Sequence, residues 1–266
     1  MNATTIVLGD LHANAAALRR ALELGTRLAA AADAGPARWV VLGDLLTYGL
    51  DVDEVLDEVE SLCERTGAVV LRGNHDQLYF DLAAGDRTYY DTLPDWIRES
   101  IDATYARLDA ARFAARFAWR SEHVVGDVLY SHASPFGPDD WRYLSTQVEF
   151  AAATRKLTER QFRIGVFGHV HRHRCLVTSS DGAERFGAGD VEIAATDRAV
   201  LTAGSVGQPR DRGAAGSFVM IRTHADVHHV ERVEIDYDVD AHLRTVTAST
   251  LSDATKARLA RFFTGS

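Results

Sequence analysis

Seven side chains of types that commonly bind transition metals lie in short polar segments of the first two thirds of the sequence. They are two aspartates, one asparagine and four histidines: Asp10, His12, Asp44, Asn74, His132, His169 and His171. Nitrogen and oxygen donors without thiolate suit Mn²⁺, Fe, Zn²⁺, Co²⁺ or Ni²⁺ rather than Ca²⁺. Seven donors exceed the roughly three protein ligands of an ordinary catalytic zinc ion. They are enough for two metal ions that share one bridging carboxylate, an arrangement that can clamp a phosphate and activate water.

The fold must bring these donors together, because they are far apart in the sequence. Each follows a short apolar run that predicts a strand, at residues 6–8, 39–42, 68–71, 128–131 and 163–167. The first three strands alternate with amphipathic segments at residues 14–30 and 52–62, and this βαβαβ order predicts a largely parallel sheet. Ligands of open α/β sheets bind beyond the carboxyl ends of the strands, so we expect the donors to converge there.

The remaining sequence predicts one inserted helical segment and a β-rich second half. From about residue 77 to 120 the strand signal disappears, and apolar residues at helical spacing predict a helical cap. Further predictions are a helix at residues 140–157, a hairpin turn at 181–182, strands at 199–203, 217–221 and 227–235, and a C-terminal helix at about 252–263. No Pro/Gly-rich linker interrupts the chain, so residues 1–266 are predicted to form a single domain.

Composition and charge narrow the classes of partner. The chain has 266 residues, with 29 Lys and Arg against 38 Asp and Glu, a net charge of −9. This balance argues against an extended nucleic-acid surface and disfavours a nuclease, unless the cap supplies a local groove. Cys63 and Cys175 lack the spacing of a zinc or redox site. The first strand begins almost at once and no run is long enough to span a membrane, so we expect a cytoplasmic protein. With this acidic balance, a small phosphorylated substrate would need local positive charge, from metal ions or a few arginines.

The motifs that follow the strands, in their order, resemble the calcineurin-like metallophosphoesterase superfamily. They are Asp10-Leu11-His12, Gly43-Asp44, Gly73-Asn74-His75-Asp76, His132 and Gly168-His169-Val170-His171. The later segment at residues 204–211, GSVGQPRD, resembles a loop of the small bacterial phosphodiesterase branch. The resemblance implies an α/β fold, a four-layer αββα sandwich of two sheets flanked by helices. Ala13, where glycine is usual, and Thr202-Ala203 before Gly204 depart from the commonest pattern, and neither touches a predicted ligand.

The resemblance also implies a role for each motif residue. One metal ion would be held by Asp10, His12 and His171 and the second by Asn74, His132 and His169, with Asp44 bridging them. His75 would contact the substrate and protonate the leaving oxygen, and Asp76 would orient its imidazole. In the segment GVFGHVHRH, His173 has no metal left to bind and is predicted to lie on the surface or behind the ligands. Arg210 in the late loop is a candidate for contacting phosphate.

These observations predict a binuclear metal-dependent phosphoesterase in which a metal-bridging hydroxide attacks phosphorus directly. A phosphodiesterase is the first choice because of the late loop, and manganese is the first choice of metal. The alternatives are a phosphomonoesterase, including protein phosphatase or nucleotidase activity, and a non-catalytic metal-binding scaffold on the same fold. Asp10 and Asp44 taken alone could be helix caps or turn residues, and His75-Asp76 a local hydrogen-bonded pair. Nothing in the sequence fixes the oligomeric state.

Overall fold

The computed structural model describes residues 2–32, 35–211 and 216–264, and within them two six-stranded sheets form the centre of the fold. The strands of the first sheet, numbered in chain order, are β1 (Ala3–Leu8), β2 (Arg38–Val41), β3 (Val69–Val70), β9 (Val191–Ile193), β11 (Ser217–His224) and β12 (Val227–Glu234). Those of the second are β4 (Glu122–Val125), β5 (Val128–Ser131), β6 (Ile164–Phe167), β7 (His173–Thr178), β8 (Glu184–Gly187) and β10 (Arg198–Ala203).

Each sheet has a parallel region that ends at the candidate donors. The first has the spatial order β3-β2-β1-β11-β12-β9, in which β1, β2 and β3 are parallel and the other pairings are antiparallel. The second has the order β4-β5-β6-β10-β7-β8, in which β5, β6 and β10 are parallel. The predicted βαβαβ unit is therefore confirmed, and it occupies half of the first sheet.

Eight helices within the described residues connect or cover the strands. They are α1 (Ala15–Ala31), α2 (Val52–Thr66), α3 (Asn74–Ala83), α4 (Asp95–Tyr105), α5 (Ala110–Arg116), α6 (Gln147–Glu159), α7 (Val239–Ala248) and α8 (Asp253–Thr264). Apolar side chains of α1 and α2 pack on the outer face of the first sheet, and those of α6 pack on the outer face of the second. The predicted α/β sandwich of four layers is confirmed.

The alternation of side chains along β1 shows why its sequence is apolar throughout. Ile6 and Leu8 belong to the core that lies beneath α1 and α2, whereas Val7 lies in the core between the sheets. That second core joins side chains of the first sheet, such as Val40, to side chains of the second, such as Val166. A strand that is covered on both faces must be apolar at every position, because successive side chains point to opposite faces. Each fully buried aliphatic side chain contributes about 1.5–3 kcal/mol.

The segment between β3 and β4, expected as a helical cap at about residues 77–120, contains α3, α4 and α5. Its large side chains Tyr79, Ile101 and Phe113 are buried in the same core as those of α1 and α2. The segment therefore extends the helical layer of the first sheet, and α3 begins at a predicted metal ligand, Asn74. This packing fixes the position of α3 relative to the strand ends.

The structure corrects the start of one predicted helix and adds one strand and one helix that were not predicted. The helix expected at residues 140–157 begins at Gln147, because Thr146 and Glu149 form a capping box there. Strand β9, which has only three residues, and helix α7 were not predicted. Helix α7 has an amphipathic pattern with His242 and Val246 buried, and this pattern was the available signal. The hairpin at Asp181-Gly182 is confirmed by the pairing of β7 with β8. None of the helices in the described residues is both long and apolar enough to cross a bilayer.

Candidate metal centre

The structure brings the seven predicted donors together where the parallel strands of both sheets end. Asp10 follows β1, Asp44 follows β2 and Asn74 begins α3 just after β3. His132 follows β5, and the segment with His169 and His171 follows β6. All seven side chains are buried, with exposed fractions of 5% or less. Residues that are separated by up to 161 positions in the sequence thus form one buried cluster.

The donor atoms form two groups that share Asp44. One group contains Asp10, His12, Asp44 and His171, and the other contains Asp44, His132 and His169; within each group the candidate ligand atoms lie within 4.8 Å of one another. Asn74 adjoins the second group, since its Oδ1 lies 3.1 Å from His132 Nε2. A shared carboxylate between two groups of three or four donors is the arrangement needed for two neighbouring divalent ions.

Backbone carbonyls fix the tautomers of His12 and His171. Because a carbonyl oxygen can only accept, His12 Nδ1 donates to Leu46 O at 2.9 Å and His171 Nδ1 donates to Gln208 O at 2.7 Å. The neutral rings therefore carry lone pairs on Nε2, and these two Nε2 atoms lie 3.1 Å apart. Two lone pairs at that distance repel unless a cation lies between them. This pair fits a metal ion.

The histidines of the second group are held in the same way. His132 Nδ1 donates to Leu42 O at 2.8 Å, so Nε2 is the ring atom that faces Asp44 Oδ2, at 3.4 Å. His169 Nε2 donates to Trp141 O at 2.9 Å, which leaves its Nδ1 lone pair free. Hydrogen bonds behind ligand imidazoles set ring orientation and raise ligand basicity. The candidate ligand atoms are thus oxygens and imidazole lone pairs, and this donor set suits divalent transition metals.

Burial and mutual charge shift the pKa values of the cluster. Burial lowers the pKa of His12 and of His169 to about 3, so both imidazoles stay neutral and able to bind a cation. Burial alone would raise the pKa of Asp44, but the neighbouring His132 and His75 hold it well below its usual value. Burial raises the pKa of Asp10 to about 7. Burial alone would lower the pKa of His132, but the Asp44 carboxylate raises it to about 9. The centre of the cluster therefore holds the Asp44 carboxylate paired with the His132 imidazolium, while the imidazoles of His12 and His169 are uncharged.

The backbone is strained where it presents the donors. Five of the seven donor residues have positive φ, a conformation that is costly for residues other than glycine. They are Asp10 (55°), His12 (45°), Asp44 (54°), His169 (67°) and His171 (57°). Close approach also requires glycine nearby: a Cβ on Gly73 would lie 2.1 Å from Asp44 Oδ1, and one on Gly207 would lie 1.8 Å from Leu11 O. Strain of this kind persists where function requires a particular geometry.

The donor geometry agrees with the comparison of this chain with known protein families. Residues 3–173, well over half of the chain, match the calcineurin-like phosphoesterase family. The chain belongs to this family. Within it, the buried His/Asp clusters point to divalent metal ions as cofactors.

Similar proteins cover nearly the whole of this phosphoesterase. An uncharacterized protein of Methanocaldococcus jannaschii is 25% identical over 261 residues, which are 95% of this chain and 96% of the relative. A metallophosphoesterase from Sphaerobacter thermophilus has a similar solved structure, with a TM-score of 0.70, 22% identity and coverage of 98% and 99% of the two chains. A hypothetical protein from Pyrococcus horikoshii has a TM-score of 0.75, 20% identity and 97% coverage of both. At these identities the two structures show the fold alone.

The phosphoesterase departs from the sequence-based expectation at Asp76. Its Oδ2 accepts from the backbone N–H groups of Asp44 at 2.7 Å and Gly73 at 2.9 Å, and its Oδ1 accepts from that of Leu45 at 3.0 Å. Among the described residues His75 is not one of its hydrogen-bond partners. The prediction that Asp76 orients the His75 imidazole is therefore wrong: its carboxylate ties β2 to the start of α3 instead.

The partner of His75 is a residue that the sequence analysis did not single out. The hydroxyl of Tyr48 lies 3.2 Å from His75 Nε2, while His75 Nδ1 is buried without a hydrogen-bond partner among the described residues. The Tyr48 ring stacks on Trp96 of α4. Burial raises the pKa of Tyr48 well above its usual value, so the hydroxyl keeps its proton. A tyrosine four residues after Asp44 was the available signal.

The late loop, residues 204–211, lies against the first donor group. Ser205 Oγ donates to Asp10 O at 2.9 Å, and Arg210 N donates to His171 O at 3.2 Å. The side chain of Arg210 contacts Gln208 Oε1 at 3.4 Å, and its Nε is buried without a partner among the described residues. Its positive charge contributes to lowering the pKa of Asp10, after the larger effects of burial and His132. A guanidinium with an unused donor thus faces the donor cluster.

His173, the third histidine of GVFGHVHRH, is not on the surface. It is fully buried at the start of β7, where Nδ1 donates to Thr202 O at 2.9 Å and Nε2 lies 3.4 Å from Gly189 O. Both ring nitrogens therefore face backbone carbonyls, and His173 belongs to neither donor group. The prediction that His173 lies on the surface is wrong. Strand β7 lies inside its sheet, between β10 and β8, and the His173 side chain is covered there.

Proposed function

We propose that the chain is a binuclear metal-dependent phosphoesterase that hydrolyses phosphodiesters by direct attack of hydroxide on phosphorus. The observation that supports this most strongly is the membership of Asp44 in both donor groups, because one carboxylate can then serve two ions. His12, Asp10 and His171 would hold one ion, and His132, His169 and Asn74 the other. Manganese is our first choice among the divalent metals that suit this donor set.

Two divalent ions in these groups would supply Lewis-acid charge to the phosphate oxygens and lower the pKa of the attacking water. The protein's own contribution is to hold the donors in place before substrate arrives. Leu46 O and Gln208 O fix the rings of His12 and His171, and Asp76 fixes the backbone of Asp44. This preorganisation means that little reorientation is needed during the reaction.

His75 is the proposed donor of a proton to the leaving oxygen. Its buried Nδ1 has no hydrogen-bond partner among the described residues, and the Tyr48 hydroxyl holds the opposite side of the ring. Burial lowers the pKa of His75, and the Asp44 carboxylate acts in the opposite direction. A bound phosphate would add negative charge beside the His75 ring. This charge would raise the pKa of His75 and favour the protonated imidazole when substrate is present.

Arg210 is the proposed contact for a phosphate oxygen that the donor groups do not reach. Its Nε has no partner among the described residues, although it is buried next to Gln208. A guanidinium that approaches from the late loop would neutralise charge that grows on the phosphate in the transition state. The resemblance of this loop to the phosphodiesterase branch is why we favour diesters over monoesters.

The test compares two substrates with the same leaving group. Purified protein is assayed with bis(p-nitrophenyl) phosphate and p-nitrophenyl phosphate in the presence of Mn²⁺, Fe²⁺, Zn²⁺, Co²⁺ or Ni²⁺. We expect metal-dependent hydrolysis, with a higher kcat/KM for the diester. A higher value for the monoester would overturn the diester preference in favour of the phosphomonoesterase alternative. If neither substrate turns over with any of these metals, the proposal of an enzyme is wrong, and the alternative of a non-catalytic metal-binding scaffold is favoured.

A matched pair of histidine variants separates the site from the rest of the protein. His171→Ala removes a donor. Losing only a hydrogen bond behind a metal ligand lowers metal affinity or activity by 10–100-fold, so we expect this variant to lower kcat/KM by more than about 100-fold. His229 in β12 is half exposed and lies 3.4 Å from Glu192, so His229→Ala is the control that should keep the wild-type rate. Equal activity in the two variants would contradict the assignment of the site.

A further inference from the structure

Two partly exposed tyrosines stand beside the second donor group. The ring of Tyr143 lies 4.4 Å from the ring of His169, at an interplanar angle of 30°, and the residue is 50% exposed. The hydroxyl of Tyr89 lies 3.5 Å from Asn74 Nδ2, and this residue is 39% exposed. They come from separate segments, after α3 and after β5. Both touch predicted ligands while part of each ring faces solvent.

Buried neighbours hold both tyrosines in position. Tyr90, next to Tyr89, is 5% exposed, and its hydroxyl donates to the Asp102 carboxylate at 2.7 and 2.8 Å. Leu144, next to Tyr143, is 1% exposed in the core under α6. The two rings are therefore presented by anchored backbone, so that binding against them would cost little conformational entropy.

The two tyrosines lie near each other and near Tyr48. Burial raises the pKa of Tyr89, and the next largest cause is the neighbouring Tyr143. Burial also raises the pKa of Tyr48, with smaller contributions from Arg210, Asp44, Tyr143 and Tyr89. The three hydroxyls are thus within electrostatic range of one another and of Asp44, which lies between the donor groups.

The surroundings of the two donor groups differ in chemistry. Arg210 approaches the group that contains Asp10 and His171, whereas Tyr89 and Tyr143 flank the group that contains Asn74 and His169. A phosphate centred at Asp44 would have a guanidinium on one side and two aromatic rings on the other. Aromatic rings attract flat π systems by stacking, and an anionic or aliphatic substituent gains less from them.

We infer that Tyr89 and Tyr143 form a subsite for a planar aromatic group carried by the alcohol portion of the phosphoester. This inference rests on the proposed function, and it narrows the substrate class to phosphoesters of nucleosides or of aryl alcohols. The phosphate lies at the donor groups, and the planar ring system stacks on the exposed faces of the two tyrosines. The two residues determine specificity and take no part in bond cleavage.

Binding of matched ligand pairs tests the subsite without requiring turnover. Isothermal titration calorimetry on the Mn²⁺-loaded protein compares adenosine 5′-monophosphate with ribose 5-phosphate, and phosphotyrosine with phosphoserine. Phosphate release is followed in the same samples, so that hydrolysis and binding are separated. We expect about tenfold tighter binding of the aromatic member of at least one pair, as stacking on one or two rings gives. The pair that shows it distinguishes a nucleoside from an aryl substrate.

Variants assign the preference to the two rings. Tyr89→Leu and Tyr143→Leu keep apolar bulk but lose the flat face, and each should reduce the aromatic preference several-fold, whereas Tyr143→Phe should keep it. Phe186→Leu is the control, because Phe186 is 37% exposed on β8 and packs on Phe150. The subsite is refuted if the wild-type protein shows no aromatic preference in either pair, or if both leucine variants retain it. Hydrolysis of bis(p-nitrophenyl) phosphate by a protein that shows no such preference would overturn the subsite and leave the proposed function intact.

Discussion

The Nε2 atoms of His12 and His171 lie 3.1 Å apart although both rings donate their Nδ1 protons to backbone carbonyls. Two lone pairs that face each other inside a protein are unfavourable, and a bound cation turns their repulsion into attraction. Asp10 and Asp44 supply the negative charge that such a cation needs. This relationship links the fold to the chemistry, because the two histidines follow strands of different sheets.

Removal of metal should therefore destabilise the protein. A ligand at 100 times its Kd adds about 2.7 kcal/mol, and for a chain of this size that corresponds to a rise in Tm of roughly 5–10 °C. We expect dialysis against a chelator to lower Tm by this amount and Mn²⁺ to restore it, as measured by thermal denaturation followed by circular dichroism. Ca²⁺ is the control, since it prefers oxygen ligands. An unchanged Tm after complete metal removal would contradict the repulsion argument.

The Tyr48 hydroxyl should matter most for substrates with poor leaving groups. Tyr48→Phe removes the hydrogen bond to His75 Nε2 and leaves the ring that stacks on Trp96. Because protonation of the leaving oxygen contributes most when that oxygen is basic, kcat should fall about tenfold for an alkyl phosphodiester and much less for bis(p-nitrophenyl) phosphate. Steady-state kinetics on the two substrates measure the difference. A loss of the same size for both would show that Tyr48 does not act through His75.

Asp76 should be a determinant of stability. Its carboxylate accepts from three backbone N–H groups, and an asparagine offers one acceptor oxygen in their place. We expect Asp76→Asn to lower the free energy of unfolding by about 2 kcal/mol, measured by urea denaturation. The control is Asp139→Asn, whose exposed ion pair with Arg72 should cost less than about 1 kcal/mol. If both substitutions cost the same, the backbone amides do not depend on this carboxylate.

Acid should destabilise the protein through His242 in α7. Burial lowers the pKa of this side chain, with a smaller opposing effect of Asp51, and its ring lies 5.1 Å from that of Phe263. Below the unfolded-state pKa of about 6.5, the unfolded chain takes up a proton that the folded chain does not, so the free energy of unfolding falls as pH decreases. Each unit of difference between the folded-state and unfolded-state pKa of this histidine contributes about 1.4 kcal/mol to the free energy of unfolding.

The variant His242→Gln should accordingly show a shallower loss of stability between pH 6.5 and pH 5 than the wild-type protein. The exposed His229→Gln serves as the control and should follow the wild-type curve. Urea unfolding at several pH values measures the slope. A His242→Gln curve that runs parallel to the wild-type curve would exclude this histidine as the cause.

The donors could be predicted from sequence because each follows an apolar strand, so that one physical rule places all of them at the same edge. The assignment of each donor to one of two metal ions came from the resemblance that the motifs carry in their order. The role of Asp76 was predicted wrongly, because sequence proximity to His75 does not reveal that three backbone amides compete for its carboxylate. Tyr48 was missed although it follows Asp44 by only four residues, whereas Tyr89 and Tyr143 lie in loops and have no period or spacing that marks them.

The errors at strand β9 and at the start of helix α6 have separate physical causes. Strand β9 is three residues long and pairs at the edge of its sheet, so its sequence carries little hydrophobic signal. The expected start of α6 at residue 140 is too early, because the chain is not helical from residue 140 to 146. The capping pair of Thr146 and Glu149 was the signal that would have located it.

The number of metal ions per chain, measured by inductively coupled plasma mass spectrometry after loading and gel filtration, tests the central claim most directly. We predict two transition-metal ions in the wild-type protein and one in each of His169→Ala and His171→Ala, because each variant loses a donor from a different group. His173→Ala should keep two ions, since both of its ring nitrogens face backbone carbonyls. A wild-type protein that binds one ion or none would contradict a binuclear centre organised around Asp44.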